Sequence, residues 1–212
     1  MKSRQEIKAL AKEAMGAQRS TGILAILILI AGALVSSVFA LVPLVGWLFS
    51  LAISVLLLVL AVNVCGIFIR IYRREQAAPA DSFSALGVNF ARKWGGMFWM
   101  ALWIWLWSLL LIIPGIIKSY AYLLTPYILA DCPNVTATDA LKLSMRMTKG
   151  HKAELFVMHL SFIGWLLLGG LTLHILTIIF VAPYMETTMA GYYQELRDKA
   201  LASGTISAEE LQ

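Results

Sequence analysis

Six side chains combine reactive chemistry with an unusual setting. Lys118 interrupts an otherwise uncharged run, with Tyr120 and Tyr122 close behind it and Tyr127 further on. A cation flanked by phenols can take the phosphate or carboxylate of an anionic ligand or lipid. The alternative is a lysine that snorkels to the headgroups from the outer end of a span. Tyr184 and Glu186 follow Pro183 in a second apolar run. A carboxylate there either carries a proton or coupling ion, or pairs with a base at the inner surface. Pro126 and Pro183 each remove the helix hydrogen bond to the residue four before, Tyr122 and Ile179. Such kinks either line a cavity or serve packing alone.

Other reactive arrangements are missing. There is no H-E-x-x-H, no G-x-S-x-G and no glycine-rich phosphate loop. His151, His159 and His174 do not have metal-ligand spacing, and Ser161 lies two residues from His159, so on a helix they point apart. Cys65 and Cys132 form no C-x-x-C pair and read as reduced structural cysteines. No catalytic residue, metal or cofactor is therefore expected. The basic residues sit beside apolar runs and not on a compact domain, which argues against nucleic acid as a partner.

The elements that must position these residues are membrane helices. Gly22 to Ile69, Gly95 to Ile117 and Leu155 to Met185 contain no Asp, Glu, Lys or Arg. A bilayer core takes about 20 apolar residues per helix. The chain of 212 residues is 60% hydrophobic and 14% charged, against about 25% charged in a soluble domain. We expect an all-α polytopic bundle with about six transmembrane helices in three hairpins: 22–69, 95–131 and 154–193. Val38-Phe39-Ala40 could pass as a signal-peptide cleavage site, but the apolar run is too long and more spans follow. Around the hairpins we expect a cytoplasmic interfacial helix over 1–20, a cytoplasmic basic helix over 136–150 and a flexible tail over 198–212.

Local signals support these elements. Ser3 with Glu6 and Thr136 with Asp139 have capping-box spacing. Ile7, Leu10, Ala11, Ala14 and Met15 make one apolar stripe, which either rests in the headgroup layer or docks on the protein itself. Lys142, Arg146 and Lys149 give the basic helix its face, and Gly150 is a natural stop. Pro114-Gly115 breaks the central run, which reads as two spans, 95–113 and 116–131, or as one kinked helix. Asp131 and Glu154 stand beside bases, where ordinary pairing is expected. Trp94, Trp99, Trp103, Trp105 and Trp107 read as packing or lipid contact.

Charge sets the orientation. With six spans and the N-terminus inside, 16 of the 17 basic residues face the cytoplasm, and Lys118 alone lies outside. Both termini are then cytoplasmic. A weak repeat is also present: Thr125-Pro126-Tyr127 and Ala182-Pro183-Tyr184 each place Pro-Tyr late in a hairpin.

Several longer motifs resemble a known family. They are Ile112-Ile113-Pro114-Gly115-Ile116-Ile117-Lys118-Ser119-Tyr120-Ala121-Tyr122, the run Tyr127 to Asp131, and Lys149-Gly150-His151-Lys152. The run Leu160 to Trp165 and Pro183-Tyr184 with Thr187, Thr188 and Tyr192 complete the set. The chain resembles an uncharacterised set of bacterial integral membrane proteins, domain of unknown function nine-seven-five, most clearly from Trp94 to Tyr193. The resemblance implies a bacterial cytoplasmic-membrane location and no particular activity, substrate or catalytic residue. Two functions are then expected from the residues. One is a non-enzymatic accessory or assembly partner, in contact with lipid and with another membrane protein or a second copy. The other is a small transporter or lipid-binding carrier with a polar cleft at Lys118, Tyr120, Tyr122, Tyr127, Tyr184 and Glu186.

Overall fold

The computed structural model describes residues 2–43, 45–172 and 174–211, and every regular element among them is helical. Four helical stretches within them are long and apolar enough to cross a membrane: Arg19–Ala40, Val45–Tyr72, Ile112–Asp131 and Lys152–Leu171. The other two expected spans fall on helices that miss this standard. One carries Arg92, Lys93 and the tryptophans; the other carries Glu186, Glu195 and Arg197.

Helix α1 (Arg4–Ala17) starts as its capping box predicts. The Glu6 N–H donates to Ser3 Oγ at 3.3 Å, and the Ser3 N–H donates to Glu6 Oε2 at 2.6 Å. Its apolar stripe of Ile7, Ala11, Ala14 and Met15 is buried against α3 (Val45–Tyr72) and α11 (Ala182–Ala202), so this face of the helix docks on the protein itself. Lys8 reaches across to donate to Ser161 Oγ at 2.6 Å and lies 4.0 Å from the centre of the Phe162 ring.

The start of α1 is tied to α11 by Lys2, whose Nζ lies 2.6 Å from Glu195 Oε1. Burial works against the Glu195 carboxylate, but the Lys2 ammonium and backbone N–H bonded to it hold its pKa below the ordinary 4.5. The hydrogen bond to Glu195 in turn raises Lys2 above 10.5. The pair's contribution is therefore complete between these two ordinary values. It is lost on the acid side as the pH falls through the folded pKa of Glu195, and on the alkaline side as the pH rises through that of Lys2. An ion pair this exposed contributes about 0.5–1 kcal/mol. Amide exchange over the first turns of α1, corrected for intrinsic rate, is expected to rise on acidification below 4.5, and to rise less in Glu195→Gln, where only the Glu6 carboxylate of the capping box still titrates.

Helix α2 (Arg19–Ala40) packs along α3, and the Ser36 hydroxyl joins them, 3.1 Å from Ser50 Oγ and 3.2 Å from Ser50 O. Their outer faces, including Leu34, Val38, Leu41, Val45, Trp47 and Leu48, are exposed. An apolar outside of this extent suits lipid and not water. The tightest core sits at the other end of the bundle, where Phe68, Phe162, Tyr192 and Tyr193 are fully buried.

After a short helix α4 (Asp81–Ser84), α5 (Phe90–Leu110) runs to a turn at Leu111 (φ −161°, ψ 143°), and α6 (Ile112–Tyr122) returns against α5. The turn therefore precedes Pro114-Gly115 by a few residues. Pro114 lies in the first turn of α6, where a missing N–H has no intrahelical partner to lose. Pro126 does not kink a continuous helix either. The chain breaks at Leu123–Leu124, and Pro126 begins the new helix α7 (Thr125–Asp131).

Helix α8 (Ala137–Met147) is capped by Thr136, whose Oγ1 accepts from the Asp139 N–H at 3.2 Å, and Gly150 (φ 84°) stops the chain beyond it. The expected span over 154–170 is two helices, α9 (Lys152–Leu160) and α10 (Ile163–Leu171), interrupted at Ser161 and Phe162. A π-helical turn, Thr177–Val181, leads into α11. Its wider winding takes up the irregularity caused by Pro183, which sits near the start of α11. The residues over 198–211 are not a free tail: α11 continues to Ala202, Ile206 is buried, and Glu210 pairs with Arg146 at 2.5 Å. Gln212 lies outside the described residues.

Candidate functional site: an aromatic groove with two lysines

Trp99, Trp103 and Trp107 recur every four residues and so share one face of α5. Lys118 and Tyr122 do the same on α6. These faces meet Thr138, Leu141, Lys142 and Met145 of α8, and together they line a groove of about 410 Å³. Lys118 Nζ lies 5.0 Å from the Trp107 ring centre and 5.7 Å from that of Tyr122. Both rings offer it their π-electrons. Among the described ion pairs none includes Lys118. Lys142 joins only the exposed Asp139, one turn away on α8, at 3.0 Å.

The helix break before Pro126 fixes the third wall. It frees carbonyls that must be satisfied away from water. Ala121 O accepts from Ser144 Oγ at 2.8 Å and from Thr148 Oγ1 at 3.3 Å, while the Leu124 N–H donates to Ser144 Oγ at 3.2 Å. Ser144 and Thr148 are fully buried, so α8 is locked beside Lys118 by these bonds. The groove is thus lined by flat apolar faces and by two lysines, with the Lys118 ammonium over the Trp107 ring. That combination can hold an acyl or aromatic body with an anionic head.

The six residues expected to share one cleft occupy separate places. Lys118 and Tyr122 are in the groove. Tyr120 faces away from it, with ring centres 5.9 Å from Phe156 and 5.6 Å from His159. Tyr184 packs on Phe162 at 5.3 Å and Phe180 at 5.7 Å. Tyr127 and Glu186 meet each other: the Tyr127 hydroxyl donates to Glu186 Oε2 at 2.7 Å. Helical geometry accounts for the separation, since Tyr120 and Tyr122 lie two positions apart on α6 and so point to different sides.

Tyr127 and Glu186 begin a polar network through the core. The Tyr127 ring stacks on Tyr193 with centres 6.0 Å apart, and the Tyr193 hydroxyl donates to Asp131 Oδ2 at 2.9 Å. Asp131 also accepts from Arg73 and from Arg197, each at 2.7 Å. One carboxylate thereby links α3, α7 and α11. The pairing of Asp131 with nearby bases follows the sequence expectation, but Arg197 and Tyr193 as partners do not appear in local spacing. Among the described residues no three His, Cys, Asp or Glu side chains come together as a metal site.

Sequence reasoning missed the groove as a unit. The four-residue spacing of Trp99, Trp103 and Trp107 was the available signal for one wall. The approach of Lys142 to Lys118 depends on where α8 folds, and no local pattern carries that.

No curated protein and no solved structure matches this chain. A family model does match over residues 95–200, a stretch that takes in the groove, Glu186, Asp131 and Arg197. The chain belongs to the family described as Protein of unknown function (DUF975).

Proposed function

We propose that this is a non-enzymatic integral protein of the bacterial cytoplasmic membrane that binds an anionic amphiphile, a lipid with a phosphate or carboxylate head, in the groove between α5, α6 and α8. The observation that carries this reading is the pairing of the tryptophan face with Lys118 and Lys142 around one cavity. A lipid would lay an acyl chain along Trp99 and Trp103 and set its headgroup between the two ammonium groups. The outward apolar faces of α2 and α3 favour the same environment.

Topology agrees with a lipid on the cytoplasmic side. Lys2 and Glu195 bring the two ends of the protein together, which suits an even number of crossings with both termini cytoplasmic. Six spans in three hairpins meet this condition. Lys118 shares its groove with Lys142 of the basic helix, so it need not stand alone on the outer side. With six spans the other 16 basic residues belong to one side, as the positive-inside rule favours. A non-enzymatic role fits the state of the polar side chains at the end of α9, on the side of α6 away from the groove. Ser161 Oγ accepts from Lys8 and donates to Met158 O, and His159 Nδ1 is 2.9 Å from Leu155 O. Neither is poised as a nucleophile or base.

The test is native mass spectrometry of the full chain gently extracted from its own membrane. The wild type is expected to retain an anionic phospholipid. Lys118→Glu/Lys142→Glu, which reverses both charges, is expected to lose it while keeping its fold. Retention unchanged in the double variant would overturn the assignment. A stoichiometric second polypeptide with no bound lipid would point instead to an accessory or assembly role.

A further inference from the structure

A second cavity, of about 330 Å³, lies away from the groove between α3, the segment through α4, the start of α5 and the end of α7. Its wall carries Asn63, Arg70, Arg73, Asp81, Lys93 and Asp131, with Glu75 exposed at the edge. The volume equals that of about ten water molecules, enough for a small solute or headgroup and too little for a whole lipid.

Lys93 is the unusual group here. Only 6% of it is exposed, yet no carboxylate lies within ion-pair distance among the described residues. Its Nζ donates to Asn63 Oδ1 at 2.6 Å and to Ala85 O at 3.1 Å. An ammonium group has three donors, so one remains. Asn63 is itself only 6% exposed, and it is oriented by its own bond, Nδ2 donating to Ser82 O at 2.8 Å. The lysine is therefore held by a fixed neutral acceptor, which positions the charge without cancelling it.

The charges on the wall balance in number, with Arg70, Arg73 and Lys93 against Glu75, Asp81 and Asp131, but they are unevenly paired. Asp81 is matched by Arg70 at 2.6 Å. Asp131 is shared by Arg73 and Arg197, each at 2.7 Å, so one carboxylate faces two guanidinium groups. Lys93 is the wall cation left without a carboxylate, while Glu75, the carboxylate outside these pairs, is exposed at the edge and not buried beside it. A buried cation normally acquires a counterion or loses its proton, and burial does depress Lys93 below its usual range. A bound anion would complete the site.

We propose that this cavity binds a small phosphate-class oxyanion, with Lys93 as its principal contact and Arg70 and Arg73 on the facing wall. Tetrahedral oxyanions suit a site with several converging N–H donors. The anion is either a free solute or the exposed head of a lipid, and both present the same group to Lys93.

Thermal unfolding of the full chain in detergent tests this at constant ionic strength, using inorganic phosphate, chloride, and short-chain phosphatidic acid below its micelle concentration. Phosphate is expected to raise the midpoint saturably, and chloride is not. An effect of the phosphatidic acid alone identifies a headgroup as the source if it persists in Lys118→Glu/Lys142→Glu and is lost in Asn63→Asp; the reverse pattern assigns it to the groove and overturns the proposal. The absence of a saturable effect from both phosphate compounds overturns the proposal. Lys93→Met is expected to weaken binding by about tenfold or more. Asn63→Asp supplies Lys93 with a built-in counterion and is expected to do the same with the fold retained, so the test survives if Lys93→Met fails to fold. Undiminished phosphate binding in Asn63→Asp, or in a folded Lys93→Met, would also overturn it.

Discussion

Asp131→Asn is expected to lower stability by about 3–5 kcal/mol, the usual result of removing one partner from a buried ion pair. Only 10% of the Asp131 side chain is exposed, against 26% for Arg73 and 25% for Arg197. Asparagine keeps the shape and one acceptor oxygen but removes the charge that two guanidinium groups share. Those groups then repel each other across a poorly hydrated gap, and the Tyr193 hydroxyl loses a charged acceptor. The damage falls on the junction of α3, α7 and α11, so it should spread beyond one helix. The check is denaturant or thermal unfolding in detergent, with the double variant Asp131→Asn/Arg197→Met alongside. Removal of one excess cation should return part of the loss, and the two substitutions should be non-additive. A change within 0.5 kcal/mol for Asp131→Asn would mean that the cluster is hydrated and contributes little.

What could be seen in the sequence divides along a physical line. Features set by neighbours a few residues apart were legible: the Ser3–Glu6 box, the Thr136 cap, the Gly150 stop and the apolar stripe of α1. Each depends on helix periodicity or on a single backbone conformation. Features set by distant segments were not. Asp131 could be assigned to some nearby base, but its three partners come from α11 and from Arg73, just past the end of α3. Lys118 looked isolated because Lys142 approaches it only once α8 has been bonded to the carbonyls freed before Pro126. The same applies to Asn63 and Lys93, which local spacing presents as one polar residue in a span and one base beside another. The prolines show a mixed result. Their ability to interrupt a helix was evident, but whether the chain kinks, breaks or winds into a π-turn is settled by what can satisfy the freed carbonyl. At the Leu123–Leu124 break, Ser144 and Thr148 bond the carbonyl of Ala121, one residue before the Tyr122 carbonyl that Pro126 frees. At Pro183 the helix continues through the turn Thr177–Val181.

Gly115→Ala tests the turn that builds the groove, and its sign is the informative part. Alanine in a helix normally adds about 1 kcal/mol of stability over glycine. At position 115 the new Cβ would meet Ser108 Oγ, the Ser108 Cβ at 3.0 Å and the Ser108 Cα at 2.9 Å. A side-chain hydroxyl can rotate away, but a backbone Cα cannot, so α5 and α6 must move apart. Such overpacking costs about 1–3 kcal/mol, and a rigid backbone neighbour places this case near the upper end. Gly164 in α10 provides the control, since nothing lies within 4 Å of its Cβ position. Gly164→Ala should therefore be neutral or stabilising while Gly115→Ala is destabilising, in the same detergent and the same unfolding assay. The consequence for function follows from the register. Gly115 precedes Lys118 by less than one helical turn, and Trp107 on the facing helix adjoins Ser108. Separation at this point draws the Lys118 ammonium away from the Trp107 ring, now 5.0 Å distant, and opens the groove along its length. Gly115→Ala should accordingly lose retained anionic lipid even where enough of it stays folded to be extracted. If it retains both stability and lipid, α5 and α6 do not meet closely at Ser108, and the groove requires a different wall.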